Sequence, residues 1–284
     1  MTRKPRVAIV GAGSLATFLA VALRESGYHV TEIISRNLLR SRRRARTLAS
    51  KVGARATTDG TALLDAELLW FCVPDRAIRE AASSLAAHVT GKIRFAFHSS
   101  GALLSRELEA LRKSGVAVAS VHPLMTFVPR SRPSLADVPF ALEGDAVATR
   151  LARRIVRDLG GESFRLAAPR KAAYHAWATF TSPLWLAFLV TLEEAARGAG
   201  LTRADARRKS MPIIRQTLEN YSRLGPEHSF SGPIIRGDTK TVAKHRAALK
   251  KYPAVRNVYV ALALAALDRL PARNRPELQR LLRN

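Results

Sequence analysis

The chain has 284 residues, of which 47% are hydrophobic, and its formal net charge is +25. This apolar share excludes an intrinsically disordered chain, and the length is sufficient for two domains. The single cysteine excludes an internal disulfide and a cysteine-rich metal site, and it fits a reducing, cytoplasmic environment. The basic residues are dispersed and no zinc-finger or RNP-like motif occurs, so we expect no specific nucleic-acid binding, only weak, salt-sensitive binding to polyanions.

The first predicted element is an apolar strand, residues 6–10, that leads into a glycine-rich turn and then an alanine-rich helical pattern. In a dinucleotide-binding fingerprint, Gly11 allows the tight turn, Gly13 lets the backbone approach a pyrophosphate, and Ala16 lets the helix lie close to the strand. The helix N-terminus adds N–H groups and a positive dipole end. The alternative is a glycine turn that binds no nucleotide. We assign pyrophosphate binding to Gly11, Ala12, Gly13, Ser14, Leu15 and Ala16.

The second predicted strand, residues 29–34, is followed by Ser35 and Arg36. An NAD site usually has an acidic residue about 20 residues beyond the glycines, where it binds the ribose 2′-hydroxyl. A hydroxyl and a guanidinium at that place favour a 2′-phosphate instead, so we predict NADP(H) as the cofactor. Glu32 is an alternative ribose ligand if the strand register differs. The arginines within residues 40–44 are expected on a solvated helix face.

Strands and helices then alternate. The predicted strands are 55–57, 68–73, 93–97 and 116–121, the helices are 41–52, 75–88 and 105–113, and 140–166 adds another strand–helix–strand unit. This alternation predicts an α/β fold with a doubly wound parallel sheet, which binds ligands at the carboxyl ends of its strands. We expect the nicotinamide end of the cofactor to lie there, beside Val73, Pro74, Asp75, His98, Ser99 and Ser100.

From residue 167 onward the pattern is entirely helical, with predicted helices at 171–199, 203–221, 240–250, 255–270 and 276–282. Pro183 is expected to kink the first of them. We therefore predict an NADP-binding Rossmann domain at 1–166 and an all-helical domain for substrate binding and dimerisation at 167–284. The apolar run 176–192 is short for a bilayer span and contains polar residues, so we expect no membrane segment. The basic residues before the first strand resemble a signal peptide, but the fingerprint explains them better.

The chain resembles bacterial proteins in which a Rossmann-like domain is joined to domain of unknown function 2520. These are relatives of pyrroline-5-carboxylate reductases and F420-dependent NADP reductases. The resemblance rests on segments 11–16, 35–36, 73–75, 98–101, 122–124, 174–176 and 231–245, of which Ser-Gly-Pro-x-x-Arg-Gly-Asp at 231–238 is the most specific. One departure is Ser182-Pro183, where that family tends to have Ser-Asn, so no catalytic role is carried over to that position. A deazaflavin as electron partner is suggested by the resemblance alone and is left open.

A hydride is supplied by the cofactor, so the protein has to position the acceptor and move one proton. Histidine titrates near neutral pH, and His122 and His175 are the best candidates for substrate contact or proton transfer. Lys171 lies one turn before His175 and is a weaker candidate. The alternatives are hydrogen-bonded structural histidines and a solvated lysine in the first helical turn. Arg236, Asp238 and His245 are candidates for a substrate or interface site, with helix capping as the alternative for Asp238.

Together these patterns predict an NADP(H)-dependent oxidoreductase that transfers a hydride to or from a C=N or C=O group of a small molecule, and the positive net charge favours an anionic one. We expect a homodimer formed through the helical domain. The alternative is an NADP(H)-binding regulator or scaffold without turnover, because a fold does not by itself establish a function. No sequence spacing predicts a metal site.

Overall fold

The computed structural model describes residues 3–129, 131 and 134–284. The chain divides into two compact units, Met1–Ala178 and Thr179–Asn284. The first unit therefore includes most of the helix that begins at Lys171. The domain boundary expected at residue 166 stays a prediction.

The first unit is built on an eight-stranded sheet with the order β3-β2-β1-β4-β5-β6-β7-β8. Its strands are β1 (Val7–Val10), β2 (Val30–Ser35), β3 (Arg55–Thr58), β4 (Leu68–Phe71), β5 (Phe95–His98), β6 (Ala117–Pro123), β7 (Pro139–Gly144) and β8 (Glu162–Arg165). Neighbouring strands are parallel except for β6 and β7, which are antiparallel. The predicted α/β fold with a doubly wound parallel sheet is confirmed, apart from this one antiparallel pair. The antiparallel pair is consistent with the connection between its strands, whose described residues form no crossover helix of the kind that a parallel pair needs.

Helices cover both faces of this sheet. They are α1 (Ser14–Glu25), α2 (Leu39–Val52), α3 (Asp75–Ala86), α4 (Glu109–Lys113) and α5 (Ala146–Asp158), and α6 (Lys171–Thr181) comes after β8 in the chain. The apolar sides of α1, α2 and α5 form one core with Trp70, while those of α3 and α4 form a second core with Leu69 and Phe71. Successive residues of β4 point to opposite faces, so a short, entirely apolar strand serves both cores.

The second unit is helical. Its helices are α7 (Pro183–Ala196), α8 (Arg203–Ser229), α9 (Thr239–Ala248), α10 (Pro253–Arg269) and α11 (Arg275–Arg283), and α8 contains a non-helical residue at Gly225. The single kinked helix predicted for 171–199 is wrong, because α6 ends at Thr181 and α7 begins at Pro183. Proline lacks the N–H that would continue the hydrogen-bond ladder. Among the described residues, no helix is both long and apolar enough to cross a bilayer.

Candidate active site

The glycine turn between β1 and α1 has two glycines with different physical requirements. Gly11 has a φ of 113°, and a Cβ there would lie 2.5 Å from the carbonyl oxygen of Cys72. A Cβ at Gly13 would meet no atom within 4 Å, so the protein's own packing does not require glycine at this position. Gly13 also provides no side-chain cap for α1. The open space at a helix N-terminus fits the close approach of a pyrophosphate.

The carboxyl end of β2 presents Ser35 and the exposed side chain of Arg36. None of the ion pairs found among the described residues includes Arg36. Glu32 is fully buried, and its carboxylate accepts hydrogen bonds from the backbone N–H groups of Leu63 at 3.0 Å and Leu64 at 2.9 Å. The carboxylate of Glu32 is therefore committed to the loop before β4 and is not available to a ribose. The guanidinium of Arg36 remains free to bind an anion.

The loops after β4 and β5 are tied together by side-chain hydrogen bonds. Ser100 donates to the Asp75 carboxylate at 2.8 Å, and its oxygen accepts from the backbone N–H groups of Ala102 and Leu103. The hydroxyl oxygen of Ser99 accepts from the indole N–H of Trp70 at 2.9 Å. The predicted nicotinamide-end residues thus lie at adjacent strand ends. Several of their side chains hold the loops in place.

His98 is completely buried and has both ring nitrogens occupied. Its Nε2 lies 2.9 Å from the carbonyl oxygen of Leu104, and its Nδ1 accepts from the backbone N–H of Ser100 at 3.2 Å. Burial lowers the pKa of His98 to about 4, so the ring is neutral with its proton on Nε2. The side chain of His98 therefore organises the loop after β5, and neither ring nitrogen is free to contact a ligand.

Lys171, the first residue of α6, has an unusual environment. Its side chain is only 2% exposed, so the alternative of a solvated lysine is wrong. The ammonium donates to the hydroxyl of Ser120 on β6, which in turn donates to the carbonyl oxygen of Ser100 at 3.2 Å. Burial lowers the pKa of Lys171 to about 8, an effect that the carboxylates of Glu143 and Asp75 oppose. A pKa near the physiological range suits an acid–base group.

His122, one of the predicted catalytic residues, lies on the same face of β6 as Ser120. Its Nδ1 is 2.8 Å from the hydroxyl of Tyr174, whose pKa is raised to about 12 by burial. Tyr174 is therefore the donor, and the proton of neutral His122 is on Nε2. Burial, followed by the nearby charges of Lys171 and His175, lowers the pKa of His122 to about 4. His122 is thus a neutral hydrogen-bond donor at physiological pH.

The rings of His122 and His175 lie 6.3 Å apart and meet above Gly101. A Cβ at Gly101 would lie 2.5 Å from Cδ2 of His175 and 2.8 Å from Nε2 of His122, so only glycine allows both rings to approach this loop. We call the following residues the polar cluster: Ser100, Gly101, Ser120, His122, Lys171, Tyr174 and His175. His122 and His175 are both partly buried, whereas Lys171 is buried.

Three members of this cluster, Gly101, Ser120 and Tyr174, were not predicted as site residues, although Gly101 and Tyr174 lie in segments that carry the family resemblance. Two of them carried a usable signal. Ser120 lies two residues before His122 on one strand, which places both side chains on the same face. Tyr174 lies three residues after Lys171, which is neighbour spacing on a helix. The role of Gly101 depends on two rings from other elements and could not be read from the sequence.

Two family models match the chain in succession. Residues 2–123 match a Rossmann-like domain, and residues 138–266 match the domain of unknown function DUF2520. The chain is a Rossmann-like domain joined to a DUF2520 domain. The polar cluster is divided between them, because Ser100, Ser120 and His122 fall in the Rossmann-like match while Lys171 and His175 fall in the DUF2520 match.

Three solved structures share this architecture. A Bacteroides fragilis protein, provisionally named an NADP oxidoreductase, is 23% identical with a TM-score of 0.76, and the match covers 94% of this chain and 99% of that one. Protein TM1727 of Thermotoga maritima is 26% identical with a TM-score of 0.71, over 91% and 96% of the two chains. A pyrroline-5-carboxylate reductase of Coxiella burnetii is 17% identical with a TM-score of 0.59, over 94% and 97%. The chain therefore has the fold of these three proteins.

One curated relative is similar over part of its length. Glycerol-3-phosphate dehydrogenase [NAD(P)+] of Enterococcus faecalis is 29% identical over 170 residues, which are 49% of this chain and 49% of that protein. The chain thus spans about half the length of the curated relative that it matches. The name of this relative describes a dehydrogenase, and the names of the Bacteroides and Coxiella proteins describe an oxidoreductase and a reductase.

The remaining predicted residues lie in the second unit. The carboxylate of Asp238 accepts from the backbone N–H of Thr241 at 2.9 Å and from its hydroxyl at 2.6 Å, which lowers the pKa of Asp238 and caps α9. Nδ1 of His245 lies 3.1 Å from the hydroxyl of Tyr259. Arg236 is exposed and takes part in none of the ion pairs between described residues. Of the three, Arg236 has the side chain that is most available to a ligand or partner.

Proposed function

We propose that this chain is an NADP(H)-dependent oxidoreductase that transfers a hydride to or from a C=N or C=O group of a small molecule. The observation that carries the proposal is that the glycine turn follows the carboxyl end of β1, while the polar cluster includes Ser100 just after β5 and His122 at the end of β6 in the same sheet. Open α/β sheets bind ligands at the carboxyl ends of their strands. The names of the related dehydrogenases and reductases support the same class of reaction.

The cofactor would be held by the glycine turn, with the backbone N–H groups at the start of α1 on the pyrophosphate and Arg36 on the 2′-phosphate. The nicotinamide end extends toward Val73, Pro74 and Asp75. When bound, NADP(H) supplies or accepts the hydride. The free guanidinium of Arg36 and the commitment of Glu32 to a loop both favour NADP(H) over NAD(H).

Within the polar cluster, each ionisable side chain has a distinct role. The half-buried His175 contacts the substrate and exchanges the proton that the reaction requires. The buried ammonium of Lys171, one turn away, keeps the cluster electropositive and stabilises negative charge that develops on the substrate heteroatom. His122 is neutral and offers its Nε2–H as a hydrogen-bond donor. An anionic substrate fits this potential and the net charge of +25.

The proposal includes a homodimer formed through the helical unit and a cytoplasmic location. Helix α8 exposes large apolar side chains, among them Ile213, Leu218 and Tyr221, which are 69%, 50% and 60% exposed in the single chain. Several exposed large apolar side chains on one helix favour a protein interface.

Titration of NADPH against Gly13→Ala tests the cofactor site, with Gly91→Ala as the matched control. A Cβ at either glycine would meet no protein atom within 4 Å, so both variants should fold like the wild type. We expect Gly13→Ala to weaken NADPH binding by about tenfold or more, equivalent to about 1.4 kcal/mol, and Gly91→Ala to leave it unchanged. Equal affinity in all three proteins would contradict the proposed site.

Turnover is tested by following NADPH consumption with a panel of imines, oxo acids and aldehydes. His122→Ala and His175→Ala should retain NADPH binding and lose activity toward any substrate that the wild type reduces. Loss of NADPH affinity in both variants would show that these histidines are structural or cofactor residues. NADPH binding without consumption on any member of the panel would favour the regulator or scaffold instead.

A further inference from the structure

A second candidate site lies at the amino ends of the strands, whereas the glycine turn lies at their carboxyl ends. An open cavity of about 670 Å³ is bordered by the residues that precede β1 and β4, the start of β5, and one side of α5. Its walls include Pro5, Phe95 and Leu151. We call it the arginine pocket because six arginines line it: Arg3, Arg94, Arg150, Arg153, Arg154 and Arg157.

Positive charge in the arginine pocket is largely uncompensated. Glu67 is the one carboxylate among the described lining residues, and it is already paired with Arg3 and accepts from the backbone N–H of Arg6 at 2.8 Å. Across the described part of the chain, no ion pair includes Arg94, Arg150, Arg153 or Arg157. The pocket therefore has a strongly positive potential that its own residues do not neutralise.

Three of these arginines form a stripe along one side of α5. Arg150, Arg153 and Arg157 are spaced three and four residues apart, so their side chains are neighbours on the helix surface, and all three are exposed. Like charges at these spacings destabilise a helix. A bound anion would reduce the repulsion among these arginines, which is present in the unliganded protein. Binding should therefore raise the free energy of unfolding.

We propose that the arginine pocket binds a small ligand that carries two or more adjacent phosphate groups. Several planar guanidinium groups around one cavity match phosphate oxygens through paired hydrogen bonds. The apolar walls, including the ring of Phe95 with the guanidinium of Arg94 5.7 Å from its centroid, lower the local dielectric and offer a surface for a ring. The volume suits one small ligand. The site shares no lining residue with the glycine turn, so it goes beyond the proposed function.

Calorimetric titration with inorganic tripolyphosphate and with ATP tests this proposal on the full chain. The pocket variant Arg150→Gln/Arg153→Gln/Arg157→Gln is compared with Arg215→Gln/Arg269→Gln/Arg283→Gln, which removes the same charge from exposed positions of the second unit. We expect saturable binding of tripolyphosphate to the wild type and to the control, and at least about tenfold weaker binding to the pocket variant. Tighter binding of ATP than of tripolyphosphate would identify a nucleoside polyphosphate as the source of the phosphates, and equal binding would identify inorganic polyphosphate.

Two further variants separate this site from the cofactor site. Arg36→Gln should retain tripolyphosphate binding, and the pocket variant should retain NADPH binding, so failure of either proposal is visible without the other. Arg94→Gln is a single change outside α5, and it should also weaken tripolyphosphate binding. It tests the pocket independently if the triple variant does not fold. Equal losses in the pocket and control triples would show diffuse charge attraction and overturn the proposal. Duplex DNA that binds through these arginines, without saturable tripolyphosphate binding, would overturn it as well.

Discussion

Replacement of Lys171 by methionine removes a buried ammonium whose charge destabilises the folded state. The pKa of Lys171 falls from 10.5 to about 8, chiefly because the group is buried. This shift corresponds to a destabilisation of the charged form by about 3 kcal/mol. Methionine has a similar length and no charge, and it loses the hydrogen bond to Ser120, which contributes about 1 kcal/mol. We therefore expect Lys171→Met to be more stable than the wild type by about 2 kcal/mol at neutral pH.

The difference in stability between Lys171→Met and the wild type changes with pH. The pKa of Lys171 is about 8 in the folded state and 10.5 in the unfolded state. The destabilisation by its charge is therefore largest below pH 8, and it disappears as the pH rises to 10.5. Urea unfolding of both proteins across this interval should show the advantage of Lys171→Met falling by about 3 kcal/mol. The exposed Lys113→Met is the control, and its difference from the wild type should not change in this way.

One result would refute the account of Lys171. If Lys171→Met is less stable than the wild type at neutral pH, and the difference does not depend on pH, then the lysine stabilises the fold and has no need of a functional explanation. If instead the variant is more stable, retains NADPH binding and has lost turnover, the buried charge is maintained for the reaction. Stability given up at a functional site is a general feature of enzymes.

Other predictions follow from the same geometry. Gly11→Ala should lower the free energy of unfolding by about 1–3 kcal/mol in urea titrations, because its φ of 113° and a nearby carbonyl oxygen exclude a Cβ, while Gly91→Ala should not. NMR titration should find the His122 ring neutral, with its proton on Nε2, down to a pH near its pKa of about 4. Tyr174→Phe should abolish this tautomer preference, and unchanged ring signals would contradict it. Ile213→Glu should convert a dimer to a monomer in sedimentation experiments; a monomeric wild type would rule out the proposed interface.

The sheet-containing first unit could be predicted well because its signals are local. The glycine turn, the buried strands and the strand-end residues each follow from a few neighbouring positions. The antiparallel direction of β7 was not predicted, because strand composition does not report direction. At Pro183, the sequence located a disturbance in the helix but not its extent, which is a complete break.

The polar cluster was harder to predict because its contacts join distant parts of the chain. Lys171 and Ser120 are 51 residues apart, and His122 and Tyr174 are 52 apart. Exposed residues follow Lys171 directly, so nothing local indicates that its side chain is buried. The histidines were chosen for their chemistry near neutral pH, yet burial keeps His98 and His122 neutral. The acid–base properties of such a site depend on tertiary burial, which a single sequence does not report.

The most direct test of the account is calorimetric titration of the wild type and Arg36→Gln with NADPH and with NADH. We expect the wild type to bind NADPH more tightly than NADH, and Arg36→Gln to lose most of that difference while its affinity for NADH stays close to the wild-type value. Heat from neither nucleotide, or tighter binding of NADH to the wild type, would contradict the account.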